Sequence, residues 1–272
     1  LAIRIEYNNL IPYNNIELLK MIISHRGRYN GFLENTIPAF EAALKAGADA
    51  VECDLRLTLD KKIIVNHDKH INLNGSRIKI SKTLLKDLIK PRHEEKPLTI
   101  DDLFEYIRQK QVPFFLEVKN RSPMLVEAIA QKIKDKKLWD RVHIMGFSIF
   151  IKNALRAQEK YEKLRVLPII TNPFYSYIRK PKKSYGVFVG WIDEWYGSGI
   201  LFRKLISTNR LIKLKGFYEK KGFKVMAGVI NKREGFEYFK KAGIEDIVTD
   251  NVKEAVDYFK SRDPETSSGL RL

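Results

Sequence analysis

Between Met21 and Lys260 the chain alternates short apolar, β-rich runs with longer stretches of helical periodicity. Strand candidates are 21–25 ("MIISH"), 50–59, 113–119, 141–147, 164–170, 185–191, 223–230 and 245–250. The segment "ENTIPAFEAALKAG" places Ile37, Phe40, Ala43 and Leu44 on one helical stripe and stops at Gly47. "PLTIDDLFEYIRQK" reads as a helix with Thr99 as N-cap, Asp101 and Asp102 in its first turn, and Arg108 and Lys110 at its end. Further helical patterns cover 122–137, 149–160, 199–215, 231–242 and 251–260. Eight strands alternating with helices predict an α/β fold, a parallel (β/α)8 TIM barrel, whose usual length is about 250 residues. A doubly wound open sheet is the alternative, because periodicity does not decide whether a sheet closes.

One strand candidate breaks the cycle. "AVECDLRLTL" (50–59) is followed after "DKK" by another apolar run, "IIVNH" (63–67). A parallel crossover needs about a dozen residues, so these two runs should form an antiparallel hairpin. Residues 68–98 read as an irregular cap segment with one short helix around "SKTLLKDLI". Nothing marks a second domain. The expectation is one domain over 21–260, an N-terminal extension over 1–20 and a polar tail over 261–272.

The net charge of +17 raises three classes of partner: nucleic acid, an anionic membrane, or a small anionic substrate. The basic residues are spread along the chain and no nucleic-acid motif accompanies them. A lysine-rich solvated surface is therefore the first reading, and attraction of an anionic substrate the second. No apolar run reaches the length of a membrane span. The N-terminal residues lack the order of a secretory signal, and one cysteine cannot form an internal disulfide. Both point to the cytoplasm.

The hairpin's first strand carries an electrostatic puzzle. Successive strand side chains point to opposite faces, so Glu52 and Asp54 lie side by side, with Val51, Cys53 and Leu55 on the other face. Two adjacent carboxylates repel and are costly to bury. In a barrel, residues at the C-terminal ends of strands share one mouth. There "SHRG" places His25 and Arg26, "NHD" places His67, "LEVK" places Glu117 and Lys119, and "TDN" places Thr249 and Asp250. Three converging carboxylates invite a divalent cation, and oxygen-only ligands favour Mg2+ or Ca2+ over Zn2+. The competing structural explanation is that Glu52 and Asp54 pair with Arg26, Arg56 or Lys119. Two histidines at one mouth suit general acid–base work near neutral pH, and Arg26 and Lys119 would face a substrate anion. His70, His93 and His143 lack that context and read as surface or packing residues. Together these features describe metal-assisted phosphoryl transfer. No P-loop or dinucleotide glycine motif is present.

The blocks "ISHRG" (23–27), "LENTIPAF" (33–40) and "GADAVECDLRLTLDKKIIVNHD" (47–68) resemble the glycerophosphodiester phosphodiesterases. Weaker matches are "PLTIDDLF" (97–104), "FFLEVK" (114–119), "VHIMGFS" (142–148) and "GIEDIVTDN" (243–251). The resemblance implies a TIM barrel that uses one divalent metal to split a glycerophosphodiester into glycerol 3-phosphate and an alcohol. It implies His25 and His67 as catalytic residues and Glu52, Asp54 and Glu117 as metal ligands, with Mg2+, Ca2+ or Mn2+ as the ion. Arg26 and Lys119 would contact the phosphate, while Glu34 and Asn35 hold the mouth of the first loop. The chain departs from the family pattern at Ala227 and Gly228, at Gly146-Phe147, and at "INLN" (71–74), which alters the pocket wall. The aromatic segments "NPFYSY" (172–177) and "WIDEWY" (191–196) either line the alcohol site or are loop packing. Alternatives are a phospholipase D-like or phosphoinositide-type diesterase acting on (lyso)phospholipids, with peripheral contact to an anionic membrane. A non-catalytic basic barrel binding nucleic acid or anionic lipid is the non-enzymatic rival.

Overall fold

The computed structural model describes residues 20–90, 96–171 and 183–260. The strands of the barrel are β1 (Ile22–Ser24), β2 (Ala50–Leu57), β6 (Phe114–Val118), β7 (Val142–Phe147), β8 (Arg165–Ile170), β9 (Gly186–Val189), β10 (Lys224–Val229) and β11 (Ile247–Thr249). All pair in parallel with their neighbours, and β1 closes the ring by pairing with both β11 and β2. β3 (Ile63–Val65) runs antiparallel along β2 with Leu57 opposite Ile63, so the short link forms a hairpin as the sequence predicts. The sheet is thus a closed barrel with one added strand.

The helices are α1 (Ile37–Lys45), α2 (Leu85–Leu88), α3 (Ile100–Gln109), α4 (Pro123–Asp135), α5 (Lys152–Ala157), α6 (Ser198–Leu205), α7 (Thr208–Glu219), α8 (Arg233–Lys241) and α9 (Val252–Lys260). Thr36 caps α1 by accepting the Ala39 N–H, and Thr99 caps α3 by accepting the Asp102 N–H. The expected helix over 199–215 is two helices: the first stops at Leu205, and Ser207 caps the next by accepting the Arg210 N–H. The expected helix over 149–160 shortens to α5.

The segment after β3 corrects the expectation of an irregular cap. His70–Leu73 (β4) and Ser76–Lys79 (β5) form a second hairpin across Asn74-Gly75. Both turn residues have positive φ, 49° and 75°, the conformation that a two-residue primed turn demands and that Asn-Gly supplies. The Asn-Gly pair is a readable signal, and the apolar alternation beside it (Ile71, Leu73, Ile78, Ile80) is too short to stand out.

Alternation along the barrel strands separates two cores. Val51, Cys53 and Leu55 face outward and pack with Phe40, Leu103, Phe104 and Ile107 from α1 and α3. Ala50, Phe115, Met145, Leu167, Phe188 and Met226 face inward and fill the barrel's lower half. His143 joins them, buried and stacked on Phe115 with ring centroids 4.7 Å apart, which makes it a packing residue. The inward positions one step up β2 and β6 are Glu52, Asp54 and Glu117, and the apolar filling gives way to charge.

Candidate active site at the barrel mouth

The loop after β1 turns at once. Arg26 has φ 57°, and Gly27 has φ 67° with room for no side chain: a Cβ there would lie 2.5 Å from the Phe40 ring. Asn35 is also left-handed, at φ 61°. The Arg26 N–H donates to Glu52 Oε2 at 3.0 Å, and the Asn35 N–H donates to the Arg26 carbonyl at 2.8 Å, which holds these unfavourable conformations. The loop is therefore shaped around the acidic strand.

Glu52, Asp54 and Glu117 are all buried, with one carboxylate oxygen of each within 4.8 Å of the others. Asp54 and Glu117 are register partners on neighbouring strands. Asn35 grips Asp54 twice: its amide donates to Asp54 Oδ2, and its carbonyl accepts the Asp54 N–H, both at 3.1 Å. Lys119 Nζ lies 3.0 Å from Asp54 Oδ1 and 2.8 Å from Glu117 Oε2. Arg26 Nε lies 3.3 Å from Asp54 Oδ2, and its Nη1 and Nη2 reach Glu34 and Glu194 at 3.3 and 3.5 Å. Arg26 and Lys119 thus contribute to charge balance, whereas Arg56 donates to the His67 carbonyl at 2.7 Å. Glu34 sits between Arg26 and Arg28.

The charge balance is incomplete. Glu52 Oε1 and Glu117 Oε1 are buried with no hydrogen-bond partner in the protein. Burial, followed by Asp54 and Glu117, pushes the Glu52 carboxyl well above the ordinary carboxylate range. Burial also raises Glu117, against the pull of Lys119. Asp54 behaves oppositely: burial would raise it, but Lys119 and Arg26 together hold it low. Orphaned oxygens on an all-carboxylate donor set fit a hard divalent cation.

Both histidines stand at this centre. His25 Nδ1 lies 2.8 Å from Asp250 Oδ1, and its Nε2 lies 3.9 Å from Glu52 Oε2. Asp250 is itself fixed: its Oδ2 accepts from Asn231 Nδ2 at 2.6 Å, and its N–H donates to Asn231 Oδ1 at 2.8 Å. Burial would raise the Asp250 carboxyl, but the His25 bond and Arg28 bring it down to about 2. His67 follows the β2–β3 hairpin, positioned because the Asn66 N–H donates to the Asp54 carbonyl at 2.9 Å. Its Nδ1 lies 2.9 Å from Asp68 Oδ1, and burial together with Arg26 and Lys119 lowers its pKa.

All the residues expected at the site lie at the mouth, with Asn35 bonded to Asp54 and Glu34 bonded to Arg26. In the sequence Asp250 is only a strand-end residue, and its bond to His25 depends on the three-dimensional pairing of β1 with β11. Arg28 and Glu194 escaped notice because they form an ion pair across 166 residues of sequence. With His25 and Asp250, Glu194 makes a second group whose donor atoms could meet at an ion, but Glu194 is taken by Arg28 and His25 by Asp250.

The pocket above the site is two-sided. His25, Arg26, Glu52, His67, Glu117 and Lys119 form one wall; Met145, Phe147, Ile169, Phe188, Trp195 and Val248 form the other. Trp195 stacks on Phe147 with centroids 6.0 Å apart, so "WIDEWY" contributes to the pocket, while the buried Trp191 of the same run packs against α6 and α8. Gly228 also lines the pocket and admits no Cβ, which would meet the Trp191 carbonyl at 2.6 Å. "NPFYSY" and His93 lie outside the described residues.

A parallel eightfold barrel with an acidic, histidine-bearing mouth defines the class of protein. The model of the glycerophosphoryl diester phosphodiesterase family matches residues 25–254, and the chain belongs to that family of phosphoric diester hydrolases. A glycerophosphodiester phosphodiesterase from Caldanaerobacter subterraneus is 24% identical over 246 residues, covering 85% of this chain and 94% of the relative. Human lysophospholipase D is 26% identical over 127 residues, 41% of this chain and 39% of the relative. Among solved structures, an Oleispira antarctica phosphodiesterase in complex with sn-glycerol-3-phosphate superposes with a TM-score of 0.68, at 18% identity, covering 89% of this chain and 97% of that one. Among the described residues no helix is long and apolar enough to cross a membrane.

Proposed function

We propose that this barrel hydrolyses glycerophosphodiesters to glycerol 3-phosphate and an alcohol in a reaction that depends on a divalent cation held by Glu52, Asp54 and Glu117. The observation that carries the reading is the pair of buried, partnerless oxygens, Glu52 Oε1 and Glu117 Oε1, beside two histidines. The ion, Mg2+, Ca2+ or Mn2+, would supply Lewis-acid neutralisation of the phosphate charge.

The chain's own groups do the rest. Asp250 accepts the His25 Nδ1–H and so turns Nε2 toward the pocket, the arrangement a proton-transfer group needs. His67, with its pKa lowered by burial and nearby cations, presents a second imidazole to the same pocket. One imidazole takes the proton of the attacking hydroxyl, and the other returns a proton to the leaving alkoxide. Arg26 and Lys119 stand where a phosphate would share their charge with the carboxylates. Asn35 and Glu34 position Asp54 and Arg26.

The apolar wall of the pocket favours a second substrate within the same chemistry, a lysophospholipid, whose acyl chain would lie along Phe147, Phe188 and Trp195. Mammalian relatives named lysophospholipase D agree with that reading. A reducing cytoplasm suits the buried, unpaired Cys53.

The test is a panel of glycerophosphodiesters and lysophospholipids incubated with Mg2+, Ca2+, Mn2+ or EDTA, with product analysis. Metal-dependent release of glycerol 3-phosphate or lysophosphatidate supports the proposal. Release of neither product with any ion would end it.

A further inference from the structure

Among the described residues ten large apolar side chains are exposed, and eight of them lie on one end of the barrel. Phe32 and Leu33 are in the loop after β1; Trp195, Tyr196, Ile200 and Leu201 are in the loop after β9 and the first turn of α6. Met124 follows β6 and Ile149 follows β7. Every one of these segments leaves the C-terminal end of a barrel strand, so the exposed apolar groups ring the active-site mouth. Single exposed apolar residues are ordinary, but their concentration on one end is not.

The ring is continuous with the site. Arg28 and Arg26 pair with Glu194, which ties the loop bearing Phe32 and Leu33 to the loop bearing Trp195 and Tyr196. Trp195 stacks on Phe147, just before Ile149. Beside the ring sits the β4–β5 excursion, whose residues share a groove with Leu33, Glu34 and Asn35. Residues 58–99 hold ten Lys or Arg against five Asp or Glu, and Lys69, Arg77, Lys79 and Lys82 are exposed.

We infer that this end of the molecule docks on an anionic phospholipid surface. The apolar ring would enter the interface, the basic hairpin would meet the headgroups, and the open mouth would face the membrane. Charge complementarity selects this occupant. A second copy would bring another +17 against the first. A protein partner seated on the ring would also seal the mouth from its substrate, whereas a lipid surface presents amphiphilic diesters to it. An apolar anchor combined with a basic patch is the pairing that reversible membrane attachment requires. The orientation gives the apolar pocket wall a purpose: a lysophospholipid could enter acyl chain first along Trp195 and Phe147 without crossing water.

The substrate part of this inference rests on the phosphodiesterase reading, but docking does not, so flotation is measured without turnover, in EDTA. Phosphatidylcholine vesicles with and without phosphatidylglycerol are the probes. The protein should float with the phosphatidylglycerol vesicles and release as salt screens the charges. The double variant Tyr196→Ser/Leu201→Ser should bind at least about tenfold more weakly, since each apolar group contributes separately. Arg77→Glu/Lys79→Glu should weaken binding and flatten its salt dependence. With metal restored, both variants should cleave a water-soluble glycerophosphodiester at the parent rate and vesicle-borne lysophospholipid more slowly. Absence of the parent protein from the vesicle fraction would overturn the inference, as would flotation of both variants at parent levels. A parent dimer that Tyr196→Ser/Leu201→Ser turns into a monomer would assign the ring to a second copy instead. Intact flotation without cleavage of any diester would sink the enzymatic reading while leaving the docking in place.

Discussion

Replacing Glu52 with glutamine should stabilise the metal-free protein and remove its response to metal. Glu52 is 1% exposed, and one of its oxygens accepts the Arg26 N–H while the other has no partner. A buried polar atom left unpaired costs about 1–3 kcal/mol, and repulsion from Asp54 and Glu117 adds to that cost. Glutamine keeps the shape and the acceptor for Arg26, loses the charge, and offers N–H donors to the neighbouring carboxylates. A gain of about 1–3 kcal/mol in a domain of this size corresponds to a rise of roughly 2–12 °C in Tm. The sign of the pH response follows from the same residue. A carboxyl raised by burial contributes stability that is whole below its unfolded pKa of about 4.3 and is lost as pH climbs through the higher folded value. Calorimetry in EDTA should therefore show the parent protein weakening with rising pH above that point, and Glu52→Gln weakening less. Millimolar divalent cation should raise the Tm of the parent and leave the variant unmoved. A variant less stable than the parent in EDTA would instead mean that protein groups alone satisfy Glu52.

Alanine at His25 or at His67 should abolish most turnover while cation binding by titration calorimetry persists. Whichever variant is rescued by a substrate with a good leaving group lacks the general acid, and near-parent rates in both would remove the histidines from the mechanism. Asp250→Asn should lower kcat by about 10^2–10^4-fold with little change in metal affinity, since the His25 tautomer is no longer set; a change confined to KM would contradict this. His143 is held near a pKa of about 3, first by burial and then by Arg165 and Lys224. Its neutral form contributes stability that is whole above pH about 6.5 and is lost progressively as pH falls toward the folded value, a loss of roughly 4–5 kcal/mol. His143→Phe should flatten that acid limb in a pH series of chemical denaturation, and an unchanged limb would assign the acid sensitivity elsewhere.

The barrel was legible because parallel strands are buried on both faces and most are followed by a helical stripe. The β2–β3 hairpin was equally legible, since its link is too short for any crossover. The metal-binding expectation came from the alternation of Glu52 and Asp54 with Val51 and Cys53, which only a polar interior could tolerate. What escaped the sequence is what pairs at long range or lies on the surface. Asp250 meets His25 only because β11 closes onto β1. Arg28 and Glu194 are ordinary surface charges until two loops are brought together. The β4–β5 hairpin carries an apolar alternation, Ile71 and Leu73 against Ile78 and Ile80, but its strands are four residues long and only Leu73 is fully buried in them, so Asn74-Gly75 is the clearer signal. The break at Ser207 was hidden by helical periodicity that runs through it.

The most direct test of the account is the metal titration of turnover. The protein, stripped with EDTA, is given stoichiometric increments of Mg2+, Ca2+ or Mn2+ while product is followed by phosphorus NMR. No hydrolysis is expected in EDTA; activity should saturate at one ion per chain with glycerol 3-phosphate as the phosphorus product, and Glu117→Gln should not recover at the same ion concentrations. Full turnover in EDTA, or undiminished recovery in Glu117→Gln, would contradict it.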